Sequence, residues 1–218
     1  MKQKNYFSQI LLLSTTLIFS CDERPPITFH DPQPIEEENL SEFPNQLIGE
    51  YLSEDGNSRL LINQKMIQRE YDVDLKIHIS ELDSNYSISG DTVIDIEKNK
   101  KWLINRIGDS LQIKENGKDT LFQINEKSIL RMHKNNYYLN NYWDVDGWGV
   151  RKVKLTKGVL MLSNIKAEEV EALRKVGKET LDSIPYKFKI ENKNFLEFVK
   201  NGGFQNHEYY TKQKNIKN

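Results

Sequence analysis

The chain of 218 residues has one cysteine, Cys21, so no internal disulfide can brace it and an exported domain of this sequence must rely on its apolar core. Long hydrophobic runs are missing as well. The most apolar stretch, Ile10 to Phe19, is about ten residues, against the roughly 20 that a spanning helix requires. Serines such as Ser110 and Ser163 lack the Gly-x-Ser-x-Gly turn that exposes a nucleophile. His30, His78, His133 and His207 have neither cysteine partners nor a His-x-x-x-His spacing, so they form no zinc-like set. The acids are too scattered to single out a glycosidase pair, and no phosphate loop is present. Charge of one sign is also lacking: the net charge is -1, which excludes the basic footprint of a nucleic-acid binder. No cofactor is expected, and an enzyme is not motivated by any motif.

What is present begins with an export signal. Met1-Lys2-Gln3-Lys4 is cationic, and the apolar run that follows is softened only by Ser14, Thr15 and Thr16. It ends at Leu17-Ile18-Phe19-Ser20-Cys21, which resembles the lipobox of bacterial lipoproteins, with a small residue before the cysteine and aliphatic residues upstream. Phe19 departs from the commonest pattern. The resemblance implies that residues 1–20 are removed and that Cys21 carries a diacylglyceryl group and a third acyl chain. At roughly 0.8 kcal/mol for each buried methylene, three chains form an effectively permanent anchor.

The small net charge hides an asymmetry. Residues 22–50 hold eight acids and one base, while residues 51–218 hold 28 bases and 24 acids. Pro25, Pro26, Pro32, Pro34 and Pro44 share the acidic part with Glu36-Glu37-Glu38. Such composition predicts an extended, self-repelling linker over 21–46 that buries little.

From Leu47 the sequence changes to short alternating runs with turn signals every ten residues or so, as in an antiparallel β domain. Expected strands include 48–53, 59–63, 75–79, 86–89, 92–96, 102–106, 110–114, 120–124, 129–132, 137–139, 150–155 and 159–162. Asp55-Gly56-Asn57, Gly108-Asp109, Asn116-Gly117 and Lys157-Gly158 mark hairpin turns. Val153 and Leu155 share one face and Lys152 and Lys154 the other, so one side of the sheet is buried. So many strands predict a barrel or a two-layer sandwich. The period then changes: Lys166 to Val176 and Asn194 to Val199 read as amphipathic helices, the second stopped by Gly202-Gly203. The expected fold is mainly β with one or two C-terminal helices. One domain is expected over 47–212, with a polar tail over 213–218.

Gly49-Glu50-Tyr51, Gly90-Asp91, Asp119-Thr120-Leu121-Phe122, Tyr137-Tyr138-Leu139-Asn140 with Trp148, and Phe195-Leu196-Glu197-Phe198 through Gly202-Gly203-Phe204 together resemble uncharacterised lipoproteins of Bacteroidota, especially flavobacteria. That family supplies no activity. Asp22-Glu23 resembles the acidic tag that directs some of these lipoproteins to the cell surface. The implied location is the cell envelope, outer membrane ahead of inner, with the periplasmic and surface faces both open. Gly49-Glu50-Tyr51 is also similar to the opening of lipocalin-like barrels, with tyrosine where those have tryptophan.

Two spots in the domain are chemical candidates. Asp144-Val145-Asp146-Gly147 offers two carboxylates to a cation, although a calcium loop needs more oxygens than the following Trp148-Gly149-Val150 supplies, which favours a plain hairpin turn. Tyr138, Trp143 and Trp148, with Tyr137 and Tyr142 beside them, offer rigid rings to a sugar or protein partner, or alternatively to the core. The expected function is that of a membrane-tethered, non-enzymatic binding or structural domain whose partner is either an envelope protein or an enzyme that it inhibits. The alternatives are a lipocalin-like carrier of a small apolar ligand and a hydrolase without a recognisable motif.

Overall fold

The computed structural model describes residues 24–97 and 99–213. Cys21 and the expected signal segment lie outside the described residues. Fifteen strands are described: β1 (Ile27–Phe29), β2 (Gly49–Ser53), β3 (Ser58–Ile62), β4 (Met66–His78), β5 (Tyr86–Ser89), β6 (Thr92–Asp95), β7 (Lys100–Ile107), β8 (Ser110–Gln123), β9 (Ser128–His133), β10 (Asn136–Tyr142), β11 (Trp148–Thr156), β12 (Val159–Asn164), β13 (Lys178–Leu181), β14 (Tyr186–Lys189) and β15 (Asn206–Lys212). Two helices, α1 (Val170–Arg174) and α2 (Asn192–Lys200), lie between the last strands. The chain is mainly β with C-terminal helices, as its periodicity predicts.

The strands form one sheet in the order β9-β10-β11-β12-β15-β2-β3-β4-β8-β7-β6-β5. Alternation gives this sheet an inner face. Tyr137 and Leu139, Val153, Leu160 and Leu162, Tyr210, Tyr51, Leu60 and Ile62, Ile67, and Leu121 and Phe122 pack into one cluster with Leu130 of β9. Residues from nine strands meet there, so the sheet curls around its own interior. It does not close: β9 and β8 are not paired, and Phe43 and Leu47 from the preceding segment complete the cluster instead. The interior is filled by side chains such as Phe43, Leu47, Tyr51 and Tyr137, each at most 1% exposed. The expected barrel is therefore an open, packed curl.

A second layer covers the outer face of β10 and β11. Tyr138, Val150 and Ile165 pack against Val170 and Leu173 of α1, Phe195 and Phe198 of α2, Phe204, and Phe188 of β14. Phe195 meets Phe29, Tyr138 and Phe204 edge to face, with centroids 5.7, 5.6 and 6.2 Å apart. A third, smaller core fills a wing made of β5, β6, β7 and the adjoining ends of β4 and β8. Val93, Ile104, Leu111 and Ile113 are its buried members, with Trp102 half-buried against them.

The expected extended linker is corrected over residues 24–46. Ile27, Thr28 and Phe29 are buried; β1 pairs in parallel with β14, in the register Thr28 to Lys187, and meets β11 at Trp148. That parallel pair makes the sheet mixed. Beyond it the backbone of Gln33 exchanges two hydrogen bonds with the buried Asn140 amide: Gln33 N donates to Oδ1 at 2.6 Å, and Nδ2 donates to Gln33 O at 2.9 Å. Arg131 donates to the carbonyls of Pro32 and Pro34 and to Asn39 Oδ1. The acids that were to repel one another have partners, Glu37 on His133 and Glu36 on Asn192. Leu40 then bridges to Leu130, so this segment covers the free edge of β9.

Candidate functional site

Strand β11 carries β10 along one edge. Its other edge is shared: β12 pairs with Arg151–Thr156, whereas β1 touches only Trp148. The fork between β1 and β12 opens into a cleft of about 490 Å³. Its floor follows from register. Leu139, Arg151, Asn164 and Asn206 lie directly opposite one another across β10, β11, β12 and β15, and Asn141 faces Gly149 one step further along. This is the inner face of the curl at the point where its apolar residues end. Arg24, Trp143 and Lys166 stand around it.

Two glycines make the fork possible. A Cβ on Gly147, whose φ is +96°, would lie 2.5 Å from the Phe29 carbonyl oxygen. One on Gly149 would lie 2.5 Å from Pro25 Cγ and 3.0 Å from Trp143 Nε1. Their absence lets the N-terminal segment seat itself against β11. The seat is fixed by the turn at 143–147: Thr28 Oγ1 donates to Asp146 O at 2.6 Å, and Arg24 Nη1 pairs with Asp146 Oδ2 at 3.2 Å.

The side-chain amides of Asn141, Asn164 and Asn206 make no hydrogen bond to any described residue, although each can donate and accept. The charged side chains in the described lining are Arg24, which pairs with Asp146, Arg151, Lys166 and Glu168. With one indole beside them, these groups can hold a polar, hydroxylated small molecule. They offer neither a nucleophile nor a metal-ligand set.

The expected aromatic platform is divided. Trp143 lines the cleft. Trp148 leans on the exposed Tyr142 ring at 5.1 Å, outside it. Tyr138 is corrected as a binding residue: it is fully buried against Phe195 and Phe204, facing away from Tyr137. The two carboxylates of the turn also part, Asp144 pairing with Lys127 at 3.2 Å and Asp146 with Arg24. Among the described residues no three His, Cys, Asp or Glu side chains gather as a metal site.

Register also aligns Tyr138, Lys152, Ser163 and His207 across the outer face. Ser163 Oγ lies 2.9 Å from His207 Nδ1, and burial holds the Lys152 ammonium below its ordinary pKa. Ser163 has no exposed surface, so a substrate carbonyl has no route to it. A smaller cleft of about 180 Å³ lies beside the β2–β3 turn, between Arg59 and Glu70.

Arg24, Asn141, Arg151, Asn164, Lys166 and Asn206 were not singled out by the sequence. Only strand register brings them together. Compared with protein-family models, with curated proteins and with solved structures, the chain matches none.

Proposed function

We propose that the chain is a lipid-anchored, non-enzymatic binding protein of the cell envelope, held at a membrane through Cys21 and presenting the forked cleft to its ligand or partner. The lipobox-like run ending at Cys21 supports the anchor. The observation that carries the binding reading is the cleft itself, whose lining starts at Arg24, three positions after Cys21. Its volume falls within the roughly 300–1,000 Å³ of small-ligand sites. A carrier of a small apolar ligand would need an enclosed apolar cavity, whereas the lining of this cleft mixes polar and apolar groups and the interior of the curl is packed.

Fractionation of cells expressing the full chain tests the anchor. The expected result is a membrane-bound protein whose N-terminal peptide carries acyl mass on Cys21, and loss of that mass with Cys21→Ala. A wild-type chain with an unmodified N-terminal peptide would overturn the reading.

A further inference from the structure

The lining of the cleft narrows the chemistry of its ligand. We infer that it takes a neutral saccharide, a polyhydroxylated ring without a charged group, held by amides beside an indole. The inference rests on the cleft being the binding site, but not on the lipid anchor.

The hydrogen-bonding groups lead to this class. Asn141, Asn164 and Asn206 present three amides on one face of the sheet, with Asn164 and Asn206 directly opposite each other. Each amide donates through its nitrogen and accepts through its oxygen, and a sugar hydroxyl also does both, so paired amides match vicinal hydroxyls. A carboxylate only accepts and an ammonium only donates, so either would leave half of each amide without a role.

The charged side chains around these amides do not select an ion. Arg24 pairs with Asp146 at 3.2 Å, Arg151 is already engaged within the chain, and the exposed Lys166 and Glu168 bring one charge of each sign. A charged ligand would give up hydration that this lining does not replace, whereas hydroxyls exchange water for the amides at little cost. The indole has a matching place. Gly149 and Asn141 face each other across β10 and β11, and a Cβ on Gly149 would lie 3.0 Å from Trp143 Nε1, so the ring stands against the glycine beside the amides. A large rigid ring next to hydroxyl-binding groups suits the apolar C–H face of a pyranose, since two side-chain torsions lose little entropy on binding.

Titration of the mature full chain in detergent micelles, followed by Trp fluorescence and calorimetry, tests this. The probes are neutral trisaccharides of glucose, of mannose and of N-acetylglucosamine, a trigalacturonate of equal length, and glycerol as a bare polyol. The expected result is binding of at least one neutral trisaccharide with a change in Trp emission. Its affinity should change by less than about twofold between low and high salt, because no ion pair forms. Trigalacturonate should bind no more tightly than that sugar, and glycerol only at far higher concentration.

Asn206→Ala, at an exposed position, is expected to keep the wild-type thermal melt and to weaken binding by about three- to tenfold. Trp143→Ala should weaken it by about tenfold or more and abolish the fluorescence change, and Trp143→Phe, which keeps a ring, should restore most of the affinity without the fluorescence. Much tighter binding of trigalacturonate, or an affinity that collapses with salt, would overturn the neutral class. No saccharide binding at millimolar concentration would overturn the saccharide assignment itself. Binding indifferent to every variant would put the sugar elsewhere and overturn the cleft reading too. An acylated, membrane-bound chain that fails this titration leaves the anchor standing, and a soluble chain that passes it leaves the cleft standing.

Discussion

Tyr51 shows what a buried polar atom does to this protein. Its ring is enclosed by the curl and its hydroxyl donates to the Leu47 carbonyl at 2.8 Å, which ties β2 to the segment that completes the core. Burial raises its phenol from 10.0 to about 12, and burial likewise raises the phenols of Tyr138 and Tyr210. A proton held more tightly folded than unfolded gives stability that is complete below pH 10 and lost as pH climbs toward the folded value. Urea midpoints should therefore be level to about pH 10 and fall between pH 10 and 12, in step with the phenolate absorbance. Tyr51→Phe should lower the neutral-pH stability by about 1 kcal/mol through the lost hydrogen bond and make the alkaline fall shallower; an equally steep fall in the variant would refute the argument. Single residues also explain where sequence reading failed. Asn116-Gly117 looks like a hairpin turn, yet it lies inside β8, with Gly117 opposite Tyr71. A Cβ there would be 2.1 Å from the Tyr71 ring, so the glycine exists to admit an aromatic cover. Composition cannot tell that use of glycine from a turn.

Elements follow local pattern where their partners are near in sequence. The hairpins β2–β3, β5–β6, β9–β10, β10–β11 and β11–β12 agree with alternation and turn chemistry, and α2 agrees with its apolar stripe and its glycine stop. Pattern fails where distant contacts decide. β4 runs from Met66 because β8 supplies a partner along its whole length, although Gln68 to Asp72 read as polar. The expected helix over 166–176 shortens to a 3-10 turn and the five residues of α1, since Glu169 turns inward to accept from the backbone of Lys166, Phe204 and Gln205. The largest departure is the segment from Arg24 to Gln46. Proline and acid composition says only that the segment will not build a core of its own; it is silent about docking onto one built by others. Arg131 and Asn140 are the clasp, and each bond can be removed. Asn140→Ala strands a buried Gln33 N–H and Arg131→Ala frees the carbonyls of Pro32 and Pro34, at about 1–3 kcal/mol each. Limited proteolysis should then cut the variants between Pro32 and Leu40 well before any cut in β2 to β15. Cleavage at the wild-type rate would show that the strand β1 and Leu40 hold the segment unaided.

At the scale of the molecule, the docked segment changes where the domain can stand. A free linker over 21–46 would allow a wide range of heights above a membrane. With β1 seated in the sheet, only the residues between Cys21 and Arg24 separate the proposed anchor from the folded body, a reach of at most about 10 Å for an extended chain. The cleft begins at Arg24, so its mouth and the neighbouring turn would be held at the height of the lipid headgroups. The fork between β1 and β12 would lie at the anchored end, and extending either strand along β11 to meet the other would remove the cleft. Val145 in that turn is 85% exposed and serves as a reporter. A fluorophore on Val145→Cys, in acylated protein reconstituted in vesicles, should be quenched by headgroup-bound quenchers. Inserting about twelve flexible Gly/Ser residues between Glu23 and Arg24 should lose most of that quenching, because the random-coil reach of such a linker is roughly 20 Å. Quenching that is absent from the start, or indifferent to the insertion, would mean that the domain stands off the bilayer despite its short tether.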